Sequence, residues 1–458
     1  MKIVDKRTIA EYLANHIHSL SSEEIANLIE IPPPNINFSY AFPVYSLSKI
    51  KKKNPIEIAK DLKENLPLPN YLEKIEAIGP YLNFKLESSN VLENVFKLKH
   101  DYGRIYEVLP GKKRKALRIV IEYPAPNTNK ALHFGHVRNM LIGKTMSNLL
   151  RYKGHKVFEV NLRQDRGFDI AKSMLGYKKW GNNQEPNKKP DHFVGDYYVK
   201  YNEMEKKDEN LSNEAYEILR LWEAEDPDTR ALWEKMRNWA LEGFKETYDK
   251  LGITFDKEYN DSEIYKKGKE IILENFERGI FKKTEDGAIY ADLKEDYDLP
   301  NKILLRKDGT SLYITQDIYL AYLKKLDFDY DKSFYVVGNP QTLYFKQLFT
   351  ILEMIGFKED KSHLSYGMIN LPEGKMKSRE GIVVEGDNII DEMLDIAFKE
   401  VDIRYPDIED EEKNRRAKII GIGALTFFIL KYNLKLDFVF DPKQSISFEG
   451  ETGPYIQY

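Results

Sequence analysis

The 458-residue chain contains no cysteine. Disulfides and thiolate-bound zinc are thereby excluded, because both need the sulfur. Long apolar runs are missing too: the stretch Ile419–Leu430 is interrupted by glycines and is too short to span a bilayer. The amino terminus, MKIVDKRTIAEYL, lacks the apolar core of a secretory leader. Nor is there an excess of positive charge, since 70 Lys and Arg stand against 74 Asp and Glu, a net charge of −4. A nucleic-acid partner would therefore need a local basic face, which the overall balance does not forbid. These absences predict a cytoplasmic protein with no membrane segment. Its length predicts more than one domain.

What is present centres on Ile119–Arg138, reading IVIEYPAPNTNKALHFGHVR. The β-branched run ahead of Glu122 predicts a buried parallel strand. Pro124 and Pro126 end it, and Asn127-Thr128-Asn129 predicts a turn. Val137, Leu141, Ile142, Met146, Leu149 and Leu150 then recur at the spacing of one apolar helix face. The tetrad His133-Phe134-Gly135-His136 thus falls where a strand's carboxyl end meets a helix's amino end. Open α/β sheets bind ligands there, and helix N–H groups attract phosphate. Gly135, without a Cβ, would let a nucleotide base lie against the backbone. His133 and His136 could donate to polyphosphate oxygens as charge builds in a transition state. The plainer alternative is two polar residues at a helix start.

A second stretch, Leu371–Gly381 (LPEGKMKSREG), sets a compact basic cluster between glycines. It suggests a loop that swings cations onto phosphates, although basic runs of this kind are commonly solvated loops and nothing more. Together HFGH and KMKSR resemble the paired "HIGH" and "KMSKS" motifs of class I aminoacyl-tRNA synthetases. The longer stretches Pro126–His136 and Leu371–Gly381 resemble arginyl-tRNA synthetases in particular, and the similarity runs over essentially the whole chain.

The resemblance implies a Rossmann-like α/β catalytic domain with a parallel sheet and a largely helical insertion, preceded by a small α+β amino-terminal domain. It places the tRNA-contacting domain at 1–112 and the catalytic domain at 113–385, with the insertion at about 178–300. Residues 386–458 would be a helical segment leading towards an anticodon-binding domain. The final FEGETGPYIQY resembles the start of the family's carboxy-terminal bundle, so a shortened chain is expected. In the amino-terminal domain, Phe38, Tyr40 and Phe42 could stack on an unpaired base or belong to the core.

The implied activity is ATP-dependent conversion of L-arginine to arginyl-adenylate and its transfer to tRNA(Arg), with Mg²⁺ carried by the nucleotide, no zinc, and a monomeric enzyme. His133, His136, Lys130 and Lys375 would be catalytic. Pro126, Asn127, His133, Gly135, His136, Lys375, Met376, Lys377 and Ser378 would bind ATP. Ser378 departs from the motif, which has a second lysine there. Many arginyl enzymes show that change together with a lysine upstream of the tetrad, where Lys130 stands. Glu122, Asn127, Tyr313, Asp317 and Gln341 match the arginine pocket, with Tyr313 and Asp317 at i, i+4 spacing on one helical face. A pocket whose carboxylates are left unpaired by the wrong amino acid can discriminate by roughly 10⁴ or more without proofreading, so editing is not expected of the insertion. Two alternatives are another HxGH-type nucleotidyl transferase and a non-catalytic tRNA-binding relative. The former usually lacks the Tyr313/Asp317/Gln341 set, and intact His133, His136 and Lys375 argue against the latter.

Overall fold

The computed structural model describes residues 5–33, 35–99, 104, 116–371, 374–375, 385–440 and 451–457. They divide into two compact units, Met1–Ala116 with Tyr152–Gly154, and Leu117–Arg151 with His155–Tyr458.

In the first unit Asp5 caps the helix Lys6–Ile17, and Ser21 and Glu24 form a capping box ahead of Ser22–Leu28. The strands Leu72–Ile78 and Tyr81–Leu86 make an antiparallel hairpin about Gly79, whose φ of 56° suits a residue without Cβ. Tyr40–Pro43 pairs along the other edge of Tyr81–Leu86. Ile9, Leu13, Phe42, Leu82 and Phe84 form the core. Phe42 is fully buried, so it packs and cannot stack on a base; Tyr40 packs on the same core.

The second unit is built on five parallel strands: β1 Arg118–Glu122, β2 Lys156–Arg163, β3 Lys257–Asn260, β4 Lys332–Gly338 and β5 Asp360–Tyr366. Their order is β5-β4-β1-β2-β3. The winding direction reverses between β1 and β4, and in such sheets the crevice beyond the carboxyl ends of those strands takes the ligand. β1 is buried on both faces: Ile119 and Ile121 enter one core, Val120 the other. The first core lies under α1 (Phe134–Tyr152), α5 (Pro227–Leu251), α9 (Gly386–Arg404) and α10 (Asp410–Leu430). The second lies under α6 (Asp261–Glu277), α7 (Tyr313–Phe328) and α8 (Thr342–Met354).

Between β2 and β3 come α2 (Phe168–Trp180), α3 (Pro190–Glu205), α4 (Asn210–Glu223) and then α5. A core of their own includes Met174, Phe193, Tyr197, Tyr201 and Ile218. β3 falls inside the segment expected as a largely helical insertion. It is a four-residue edge strand, KEYN, whose polar composition carries no strand periodicity. A small antiparallel sheet follows, of Lys282–Lys283, Ile289–Ala291 and Lys302–Leu305. The sequence pattern also suggests two helices, Glu411–Gly421 and Ala424–Asn433, where α10 is continuous. A Cβ at Gly421 would lie 2.8 Å from the Met393 carbonyl oxygen, so this glycine permits close approach of α9 and breaks nothing. Among the described residues no helix is long and apolar enough to cross a membrane.

Candidate active site

The chain leaves β1 at Glu122, turns through Ala125 at φ 55°, and is held there by the Asn161 side chain, whose oxygen accepts the Ala125 amide at 3.2 Å. This turn and α1 form one wall of a 630 Å³ cavity at the switch point. Glu122, Asn127, Lys130, His133, Gly135, His136, Tyr313, Asp317 and Gln341 all line it. Residues from three separated stretches of sequence therefore converge on one space. Pro126 does not line the cavity; it is buried, and its carbonyl accepts the Gln164 amide at 3.0 Å. Lys375 is described in its backbone alone, paired with Asn370. Met376, Lys377 and Ser378 lie outside the described residues.

At the tetrad, the two imidazole rings stack with centroids 3.8 Å apart and planes 24° from parallel. The His133 amide donates to Nδ1 of His136 at 3.1 Å. An amide can only donate, so Nδ1 of His136 is the unprotonated nitrogen and Nε2 carries the hydrogen. Burial, and then the neighbouring His133, holds His136 well below the usual histidine range. Burial and Lys130 bring His133 down to about 4. Both rings are thus neutral donors at physiological pH. A Cβ at Gly135 would sit 2.9 Å from the His133 ring, so this glycine first of all makes room for the stack. Burial also lowers the pKa of Lys130, against the pull of Asp169.

Acidic side chains line the cavity as well. The Tyr344 hydroxyl donates to the Asp317 carboxylate. Burial, and next the nearby Glu122, push Asp317 up to about 7; the Tyr344 hydrogen bond and Lys324 pull the other way. Glu122 is paired by Lys324, whose Nζ lies 2.5 Å from Oε2 and 3.6 Å from the Tyr335 ring centroid. Lys324 is completely buried. Tyr313 stands one turn before Asp317 on α7 and is half-exposed, and Gln341 ends the short turn Asn339–Gln341; both line the cavity.

Sequence reasoning missed four residues: Tyr344 and Lys302, which line the cavity, and Lys324, paired with Glu122, and Asp261, which do not. Lys324 follows Asp317 by seven positions, two helical turns along the same face, and that spacing was the available signal. Tyr344 and Lys302 line the cavity, with Lys302 Nζ 5.1 Å from the Tyr344 ring centroid. Asp261 begins α6, and its Oδ1 is buried without a hydrogen-bond partner among the described residues. Burial raises Asp261 to about 8, with Arg166 opposing and Asp317 adding to the rise.

The raised carboxyl of Asp317 has a consequence for ligand binding. A cationic guanidinium would need Asp317 ionised, so a protein that starts with a proton there must release it on binding. If the site takes arginine there, as the resemblance implies, its affinity is expected to rise with pH, by up to about tenfold per unit between pH 5 and 7, and to level off above. Titrations in buffers of different ionisation enthalpy would reveal the released proton. A flat profile from pH 5 to 8 would contradict the assignment.

Residues 105–442 match the family described as tRNA synthetases class I (R), catalytic domain, and residues 7–86 match the arginyl tRNA synthetase N terminal domain. The chain is 44% identical to the arginine–tRNA ligase of Treponema denticola, covering 99% of this chain and 79% of that one. It is 40% identical to the arginine–tRNA ligase of Bacteroides thetaiotaomicron, covering all of this chain and 80% of that one. Among solved structures, Thermus thermophilus arginyl-tRNA synthetase superposes with a TM-score of 0.80 at 24% identity, over 99% of this chain and 80% of that one. The Plasmodium falciparum arginyl-tRNA synthetase gives 0.75 at 17% identity, over 98% and 78%. Both structures agree with the five-stranded parallel core as a fold.

Proposed function

The chain belongs to the arginyl-tRNA synthetase family, ligases that join arginine to its tRNA with ATP, and from that premise we propose how its crevice divides the work. Arginine lies with its guanidinium against Asp317 and Tyr313, and with Glu122, Asn127 and Gln341 around the rest of the molecule. ATP lies along the tetrad, its phosphates facing the imidazoles of His133 and His136 and the ammonium of Lys130. Mg²⁺ enters with the nucleotide as its counter-ion.

The reaction needs no general base, because the attacking carboxylate of arginine is already ionised. One of its oxygens forms a bond to the α-phosphorus of ATP, the bond to the β-phosphate oxygen breaks, and pyrophosphate leaves. The terminal ribose hydroxyl of tRNA then attacks the carbonyl carbon of the adenylate, and AMP departs. Positioning and charge stabilisation are what remains for the protein to supply. Nε2–H of His136 is a fixed donor, since its other nitrogen is engaged by the His133 amide. Lys130 is the nearby cation; Lys375 and Lys377 are assigned to the same task by their motif, with Met376 and Ser378 between and beside them. This reading takes the chain as a cytoplasmic monomer.

One observation carries the substrate assignment: a carboxylate, Asp317, faces the same cavity as the tetrad and is supported by the Tyr344 hydroxyl. Guanidinium is the side-chain cation whose planar fork suits such a partner. The test is calorimetric titration with L-arginine in the presence of a non-hydrolysable ATP analogue and Mg²⁺, with citrulline and lysine as comparisons. Citrulline replaces the guanidinium by a neutral urea of nearly the same shape. Arginine is expected to bind at least about 100-fold more tightly than citrulline, the cost of leaving a buried charge unpaired. Equal binding would remove the assignment.

A further inference from the structure

Helix α3, which belongs to the segment between β2 and β3, contributes no residue to the cavity. Its amino end nevertheless holds a buried charge cluster. Lys189, immediately ahead of the helix, places Nζ 3.0 Å from Asp191 Oδ1, 2.8 Å from Thr247 Oγ1 and 2.7 Å from Asp387 Oδ2. His192 lies 3.0 Å through Nε2 from Asp387 and 3.2 Å through Nδ1 from Glu385. Both ring nitrogens face carboxylates; against desolvation, the hydrogen bond to Asp387 and the nearby Asp191 and Glu385 raise the ring's pKa above the usual histidine value and favour the imidazolium. Asp191, His192 and Asp387 have ligand atoms within 4.8 Å of one another, a grouping that could suggest a metal. The cation between the two aspartates is Lys189 itself. A Cβ at Gly243 of α5 would overlap Asp191, so the packing leaves no spare room there.

The cluster ends against the tetrad. Glu385 forms an antiparallel bridge with His133, and the Gly386 amide donates to the Leu132 carbonyl at 2.7 Å. A Cβ at Gly386 would lie 2.7 Å from Val137 Cγ2, so α9 begins in direct contact with the start of α1. On the other side of the same loop, Gly195 of α3 brings its backbone to the Lys130–Ala131 peptide: a Cβ there would be 3.3 Å from the Ala131 nitrogen. The loop carrying Lys130 and His133 is thus flanked by α3 directly and by residues 385–387, which α3 grips through Lys189 and His192.

We propose that α3 serves as the brace of the tetrad, with Lys189, His192 and Asp387 acting as positioning residues for nucleotide binding through the backbone of residues 385–386. The proposal rests on the reading of the tetrad as the polyphosphate site. It gives the helical segment a role in the first step of the reaction, in place of an editing role. Buried ion clusters of this sort contribute little net stability, because desolvation offsets attraction, but they fix geometry, since any other arrangement leaves a charge unpaired. Misplacement of catalytic groups by as little as 1 Å can cost rate by roughly 10²-fold, so such bracing matters.

The test uses the whole chain with His192→Ala and, separately, Asp387→Asn. Titration with a non-hydrolysable ATP analogue and Mg²⁺ is compared with titration by L-arginine, whose guanidinium is proposed to meet Asp317 and Tyr313 of α7. The analogue is expected to bind about tenfold or more weakly, one step of 1.4 kcal/mol. Arginine should stay within about twofold of the parent value, as for independent sites. His192→Gln, which keeps one donor towards Asp387, should recover part of the loss. Unchanged analogue affinity in both folded variants would overturn the proposal, and so would a parallel fall for both ligands, which signifies general disruption. A rise in the parent's melting temperature on adding Zn²⁺ or Mn²⁺ alone would overturn it in favour of a metal site. Loss of arginine preference in the parent protein would instead undo the reading of the cavity.

Discussion

Asp317→Asn is expected to lower the affinity for arginine by roughly 10²–10³-fold while leaving the ATP analogue bound as before. Removing one partner of a desolvated, hydrogen-bonded charge pair costs about 2–5 kcal/mol. The substitution is nearly isosteric, and the amide oxygen can still accept from the Tyr344 hydroxyl that Asp317 engages now. The wall of the cavity should therefore persist, and the change should be confined to charge. The pH dependence of arginine binding should vanish with it, because the group pushed up to about 7 by burial is gone. Two isotherms at pH 5.5 and 7.5, for variant and parent, check both points. A variant that loses both ligands equally would show that Asp317 maintains the fold of the site and does not select the substrate.

Lys324→Met should have its largest effect on stability. Lys324 is wholly buried, and its ammonium is the only counter-charge paired with Glu122 among the described residues. Breaking a buried pair by removing one partner typically costs about 3–5 kcal/mol, since the remaining charge must be neutralised or stay uncompensated. The double variant Glu122→Gln/Lys324→Met removes both charges together and should regain most of that loss, because neutral partners of similar size carry no desolvation penalty of this kind. Urea denaturation of the two singles and the double closes the cycle. A double variant no more stable than Lys324→Met would mean that Lys324 works chiefly through its 3.6 Å contact with the Tyr335 ring. Arginine affinity should not recover in the double variant, since Glu122 borders the cavity.

Why was so much of this legible in the residues alone? The β-branched run, the two prolines and the helical periodicity of 117–150 require no tertiary information, and they place the tetrad between a strand and a helix. Tyr313 and Asp317 came from the family resemblance, and i, i+4 spacing added only that they share one helical face, as both do in lining the cavity from α7. Lys324 had only its seven-residue spacing from Asp317 to mark it. In the run LKKLDF, Lys324 and Lys325 are the same residue type, yet one is fully buried and the other partly exposed beside Asp329. β3 escaped for the opposite reason: its four residues are polar because it is an edge strand, and its membership is set by pairing with Val160–Arg163. The glycines of α10 looked like a break and prove to be a contact. The brace at Asp387 joins residues nearly two hundred positions apart, a juxtaposition that no local pattern encodes.

The order of the strands has a consequence for how such a chain can vary in length. The pocket closes where β1 meets β4, through pairs such as Ile119 with Lys332 and Glu122 with Tyr335, which lie 213 positions apart in each case. The intervening chain is, in polymer terms, one very long loop already. Doubling a loop adds only about 0.6 kcal/mol to the entropy of closing it, so a few further residues in it cost almost nothing. Residues added in the turn between α3 and α4, around Lys206–Asp208, would leave both the closure and the brace at the amino end of α3 untouched. The catalytic crevice can thus stay fixed while the surface of the helical segment is free to lengthen, shorten and diverge.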